Sequence, residues 1–124
     1  AFLEGEAAMA LSYTTSPAYH GVVEGDATKK AAPFEEGHYL QIEVAGKVAS
    51  TDAPDLADRF LAFMLEEGFQ SAIPTTNWMY PAVGPAPDAF EGLVEPETSL
   101  RFPPEDVPAV REAALAEWLD ALSR

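Results

Sequence analysis

GEAAMALSYTTSPAYH, residues 5–20, rises from a glycine into small and apolar residues, then turns to hydroxyls, two tyrosines and a proline. Met9, Leu11 and Tyr13 alternate, which predicts a partly buried strand that Pro17 ends. A core strand would continue with Val or Ile, and a plain surface turn would use Gly, Asn or Asp without rings. Tyr13 and Tyr19 therefore mark a place suited to something flat and polar.

Outward from that stretch, residues 21–37 carry three glycines and a proline among charges and read as a loop. HYLQIEVAGKVA, residues 38–49, alternates through Ile42 and Val44, predicting a strand at 39–45 with a bend at Gly46. STDAPDLADRFLAFMLEEG, residues 50–68, predicts an amphipathic helix over 52–66. Asp52 is its cap, Pro54 lies in its first turn, Leu56, Phe60, Phe63 and Met64 share a face, and Gly68 breaks it. Phe69 to Ile73 read as a short helical turn that Pro74 ends, and TTNWMYP, residues 75–81, as an aromatic loop. Residues 83–104 are Pro-rich and irregular, with one helical turn near Phe90. A terminal helix then carries Val107, Val110, Ala114, Leu115, Trp118, Leu119 and Leu122 on one face. The pattern is α/β, an incomplete sheet with flanking helices.

Charge narrows the partners. Seven Lys and Arg face 21 Asp and Glu, a formal net charge of -14, which repels nucleic-acid phosphates and anionic membranes while leaving room for a cationic ligand. With hydrophobic residues at 48% the composition is that of a globular chain. The absence of cysteine excludes disulfides and thiolate metal sites, and two histidines do not make a metal site. The opening AFLEGEAAMA reads as the start of a piece of a longer protein, with any export signal upstream of it.

Chemistry is expected where aromatics fall outside periodic segments. SYTTSPAYH (12–20) and IPTTNWMYP (73–81) each combine a Thr-Thr pair, a proline and large rings, which suggests two walls of one cleft. The plainer alternative is that Tyr13, Tyr19, Trp78 and Tyr80 are amphipathic lids on a core. Against it stands the density of donors beside the rings: Ser12, Thr14, Thr15, Ser16, Thr75, Thr76 and Asn77. Rings offer stacking faces and the donors satisfy the edge of a polar heterocycle.

GEAAMALSYTTSPAYH, GHYLQIEVAGKVA, FMLEEGFQSAIPTTNWMYP and AEWLDALSR resemble the C-terminal part of the periplasmic thiamine-binding proteins, the solute receptors of thiamine ABC importers. SYTTSPAYH and IPTTNWMYP carry the specific likeness, whereas GEAAM and LEEGFQ recur across solute-binding proteins. The resemblance implies a two-lobed (type II) periplasmic solute-binding fold. Residues 1–38 would lie in the second lobe, 39–80 would form the crossover and first-lobe helices, and 81–124 the return segment and terminal helix. It implies a binding protein rather than an enzyme, located in the periplasm, that takes up thiamine (vitamin B1) or its phosphates and hands the ligand to a membrane permease. No separate cofactor, metal or catalytic residue is implied. Tyr13, Tyr19 and Trp78 would line the thiamine site, with Asn77, Ser12 and Thr14 at the pyrimidine edge or a phosphate.

Two other functions are open on the residues. A ferric-iron receptor of related fold would need adjacent tyrosines, and no Tyr-Tyr pair occurs. A carbohydrate-active enzyme with an aromatic cleft would use paired carboxylates, for which Glu35 with Glu36 and Glu66 with Glu67 are available but adjacent and polar in setting. His20 and His38 lack a nucleophile and orienting acid at a recognisable spacing. With few strands and open edges, the chain is expected to associate with the missing N-terminal part or with a second copy of itself.

Overall fold

A computed structural model of the chain describes residues 2–123. Two compact units emerge: one runs up to Pro33 and resumes over Ile42–Glu95, and the other combines Phe34–Gln41 with the chain from Pro96 onward.

The first unit is helical. Helix α1 (Ser16–Val23) begins where the strand was expected to end. Pro17, read as a terminator, lies in its first turn, where the fixed φ of proline suits a helix and its missing N–H costs nothing. Tyr19 and His20 therefore sit on a helix rather than in a loop. The end of α1 is closed by the amides of Glu24 and Asp26, which donate to the His20 carbonyl at 3.2 and 2.9 Å, with Gly25 between them at φ 71°.

Helix α2 (Pro54–Phe63) falls inside the predicted 52–66. Its cap differs: Ala53 holds the N-cap position, and the Ala53 amide donates to Thr51 Oγ1 at 3.2 Å. Helix α3 (Glu67–Gln70) contains Gly68, so the break falls before that glycine. Helix α4 (Ile73–Thr76) takes Pro74 into its first turn, again an initiator rather than a stop. The helical turn expected near Phe90 is a 3-10 turn at Asp88–Phe90, which packs on α1. Only Ala18, Pro74 and Phe90, with polar Thr15 and Gln70, are buried among the described residues.

The second unit joins strand β1 (His38–Tyr39) to strand β2 (Ser99–Leu100) in parallel, His38 opposite Ser99 and Tyr39 opposite Leu100. Helix α5 (Val107–Leu122) completes it. Tyr39 and Phe102, ring centroids 6.2 Å apart, lie along the predicted apolar face of α5 with Val110, Leu115 and Trp118. No helix of the described residues is long and apolar enough to cross a membrane.

Two strand expectations are corrected. Residues 9–13 form no strand, and of 39–45 only Tyr39 is in one, with the preceding His38. Met9, Leu11, Ile42 and Val44 keep their alternation but are exposed. Alternation prepares a segment for a sheet, whereas a ladder requires a neighbour to accept its amides.

The β1–β2 pair depends on Gly37, whose φ of 106° ends the turn closed by the Gly37 amide on the Phe34 carbonyl. A Cβ there would stand 2.8 Å from the Thr98 carbonyl oxygen, the atom that accepts the His38 amide. Gly37→Ala is expected to weaken the pair by about 1–3 kcal/mol, the scale of a strained backbone with a steric clash. Hydrogen exchange at the His38 and Leu40 amides checks this, and unchanged protection would show that the turn relaxes freely.

Candidate functional site

Helix α1 and the chain after α4 build the candidate site. Tyr19, in the middle of α1, and Trp78, two residues beyond α4, meet edge to face with centroids 5.4 Å apart and planes at 84°. This geometry sets the positive edge of one ring against the negative face of the other. His20 adds a third ring, 5.5 Å from Tyr19 and also edge-on, and its Nδ1 lies 2.7 Å from Glu24 Oε2. Tyr19 remains 37% exposed, so the pair is not a sealed core contact.

Trp78 adopts φ 54°, the only positive φ at a residue other than glycine among the described residues. It follows Asn77, the C-cap of α4, in the left-handed position where helices usually place glycine. For a residue with a Cβ that conformation costs roughly 1–2 kcal/mol. The surroundings must therefore hold it. Asn77 Nδ2 donates to Glu43 Oε2 at 3.2 Å and approaches Met79 Sδ at 3.1 Å. Behind the loop, the 5% exposed Gln70 donates from Nε2 to the Met64 carbonyl at 2.6 Å. Its Oε1 accepts the amides of Ala82 and Val83 at 2.7 and 3.2 Å.

The other expected site residues are distributed around this pair. Ser12 Oγ lies 2.7 Å from Ser16 Oγ, which also accepts the Tyr13 amide at 3.3 Å, so Ser12 and Ser16 shape the turn into α1. Tyr13 is 61% exposed at that turn, Thr14 is half-buried and Thr15 is buried. Thr75 and Thr76 lie within α4, with the Thr76 hydroxyl donating to the Ala72 carbonyl at 2.7 Å. Tyr80 turns away to meet Phe90 edge-on at 5.0 Å, and burial, then the Glu95 carboxylate, pushes its phenol pKa up. Tyr80 thus gives its ring to Phe90 rather than to the Tyr19–Trp78 pair, while 40% of it stays exposed.

Glu43 and Gln70 carry no sequence signal of a site. Glu43 is the polar member of an alternating IEV run, and Gln70 closes an otherwise ordinary LEEGFQ phrase. Another flank of α1 borders a cavity of about 220 Å³, lined by Pro17, Gly21, Lys29, Lys30, Glu91 and Leu93 among others, and neither Tyr19 nor Trp78 lines it. No cluster of three or more metal-ligating side chains occurs among the described residues.

Comparison with known proteins bears on this arrangement. No family model matches the chain. Thiamine-binding periplasmic proteins of Salmonella typhimurium and Escherichia coli are each 52% identical to it over 124 residues, covering 99% of this chain. The chain is homologous to thiamine-binding periplasmic proteins. It spans only 38% of the length of those relatives. The protein of that description from Brucella melitensis is 51% identical over 126 residues. A solved structure described as a periplasmic thiamin binding protein superposes with a TM-score of 0.86 at 52% identity, covering 99% of this chain and 39% of that one. The helices and small sheet described above are thus the fold of one part of a solute-binding protein.

At the foot of α1, Asp26 accepts from the hydroxyl and amide of Thr28 and pairs with Lys29 Nζ at 3.1 Å. The Thr28 hydroxyl, then its amide and Lys29, hold the carboxyl pKa down at about 2. A depressed carboxylate pKa contributes stability above its ordinary value of 3.8, lost as pH falls through about 2. The Asp26 carboxyl is therefore expected to titrate near 2 by NMR, with the turn after α1 intact at pH 4. A midpoint at the ordinary value would show that the Thr28 contacts do not persist in solution.

Proposed function

We propose that this chain is the C-terminal part of a periplasmic solute receptor and supplies one wall of its thiamine site. The observation that carries the reading is the Tyr19–Trp78 pair, which joins two segments 59 positions apart in sequence (78 − 19) into one partly exposed aromatic edge. Thiamine has a flat aminopyrimidine and a permanently cationic thiazolium. Aromatic faces attract such a cation by about 0.5–2 kcal/mol per contact. Carboxylates stand close by, with Glu43 on Asn77 and Glu24 on His20, and the net charge of -14 favours a cationic ligand over an anionic one.

In this reading Tyr13, Tyr19 and Trp78 pack around the ligand rings, while Ser12, Thr14 and Asn77 offer hydrogen bonds to the pyrimidine edge or to a phosphate of a thiamine phosphate. The Asn77 amide, already held by Glu43, serves more through its carbonyl oxygen than through its N–H groups. The protein binds and releases its ligand without chemistry on it. Its partner is the membrane permease of an ABC importer, and its fold is the two-lobed type II architecture. Residues 1–38 belong to the second lobe, 39–80 to the crossover and first-lobe helices, and 81–124 to the return and terminal helix. The names of the homologous proteins support the ligand and the periplasmic location.

The remaining partner is the rest of the receptor. Leu56, Phe60 and Phe63 of α2 and Trp118, Leu119 and Leu122 of α5 are exposed in this chain, surface that the additional length of the relatives would cover. Expressed alone, residues 1–124 are expected to self-associate through these faces. Light scattering after size exclusion would show a mass above the monomer. A monomeric peak with a cooperative thermal transition would mean that the exposed faces need no partner.

In the complete receptor, Trp78→Ala is expected to weaken thiamine binding by about 3- to 30-fold, the loss of one cation–π partner, with the fold intact. Tyr19→Phe should retain most of the affinity and Tyr19→Leu lose most of it, since Leu keeps bulk without a quadrupole. Isothermal calorimetry with thiamine reads all three. Unchanged affinity in Trp78→Ala together with a stability loss above about 3 kcal/mol would return Trp78 to the core.

A further inference from the structure

Trp78 carries a backbone conformation that its own side chain disfavours, and it lies between two tethers. On the N-terminal side, Glu43 holds Asn77 from the irregular segment that follows β1 in the chain. On the C-terminal side, Gln70 ties Ala82 and Val83 to the end of α2 at Met64. All of the hydrogen-bonding atoms of the Gln70 carboxamide face backbone groups, and the side chain is buried. A loop ending in two free arms would let Trp78 relax to negative φ and swing its indole away from Tyr19. We propose that Glu43 and Gln70 form a clasp that holds residues 77–83 so that Trp78 stays in its left-handed conformation with its ring edge-on to Tyr19.

Glu43 and Gln70 are positioning residues, acting on the ligand through the indole rather than by touching it. The clasp distributes its work unequally. Gln70 makes three part-buried hydrogen bonds from a side chain that is itself buried, and its loss leaves the Ala82 and Val83 amides without this acceptor. Glu43 makes one exposed bond, which trims the motion of the Asn77 side. Strain at a single residue persists where the surroundings over-determine it, and it collects at ligand-holding positions. The proposal rests on the reading of Trp78 as a ligand contact, and the test separates the two.

The complete receptor is labelled with fluorotryptophan, and the Trp78 fluorine resonance is assigned by its disappearance in Trp78→Phe. Gln70→Met, close in volume but without the carboxamide, is expected to shift and broaden that resonance in the ligand-free protein. It should also lower thiamine affinity about tenfold in calorimetry. Because Gln70→Met also removes three part-buried hydrogen bonds, Glu43→Ala is the second variant, at an exposed position. It should move the same resonance, cost about threefold in affinity, and leave the melting temperature unchanged. Glu43→Gln keeps an acceptor for Asn77 and should restore both resonance and affinity. A resonance at its original position in Glu43→Ala and in folded Gln70→Met overturns the clasp. So does a Glu43→Gln variant as weak as Glu43→Ala with an unmoved resonance, since the carboxylate would then act on the ligand by charge alone. A moved resonance with thiamine affinity unchanged in every variant, Trp78→Phe included, upholds the clasp and rejects the ligand role of Trp78.

Discussion

The Gln70 carboxamide organises the part of the chain on which the aromatic pair depends. A buried amide is costly unless each polar atom finds a partner, and at this position the partners are three backbone groups from two segments. Satisfying Gln70 fixes the spacing between the end of α2 and the chain beyond Trp78. Helices α3 and α4, each four residues long, could not hold that spacing by themselves, since helices this short are marginal without tertiary support. The indole of Trp78 reaches Tyr19 because the loop that carries it is tied behind and beside.

Apolar surface is distributed in a way that suits one part of a larger fold. Helix α2 presents Leu56, Phe60 and Phe63 to solvent, with Phe63 meeting Phe60 and Phe69 but no covering layer over them. The segment 42–48 is exposed and without regular secondary structure, pinned where Lys47 pairs with Asp58 of α2 at 2.7 Å. Fully burying one Leu or Phe side chain contributes roughly 1.5–3 kcal/mol, so these faces hold much unrealised stability. The homologous proteins have more than twice the length of this chain, which supplies a physical source for the missing cover.

Electrostatics and aromatic geometry point the same way. The rings of Tyr19, Trp78 and His20 form a chain of edge contacts with carboxylates at its margins. Tyr80, by contrast, meets Phe90 with its ring, and partial desolvation raises its phenol pKa. Similar residue types close in sequence thus meet different partners, Trp78 pairing with Tyr19 and Tyr80 with Phe90.

Local chemistry alone placed α2, α5 and the turn near Phe90, because helical spacing and proline act over a few residues, whereas the Pro-rich stretch 83–104, read as irregular, also holds strand β2 at Ser99–Leu100. The same reach let SYTTSPAYH and IPTTNWMYP be read together, and the family resemblance of those motifs preceded any geometry. Pro17 and Pro74 were legible as boundaries but not as helix starts, since proline ends a strand and opens a helix by the same fixed φ. Strands at 9–13 and 39–45 were legible only as alternation, and whether a ladder forms depends on a neighbour far away in sequence. Asn77 was the natural residue for a left-handed turn, yet Trp78 took it. That choice follows from the tethers at Glu43 and Gln70, which lie 34 positions before and 12 positions before the groups they hold. No local pattern encodes such distances, so the orientation of the indole was left to the tertiary structure.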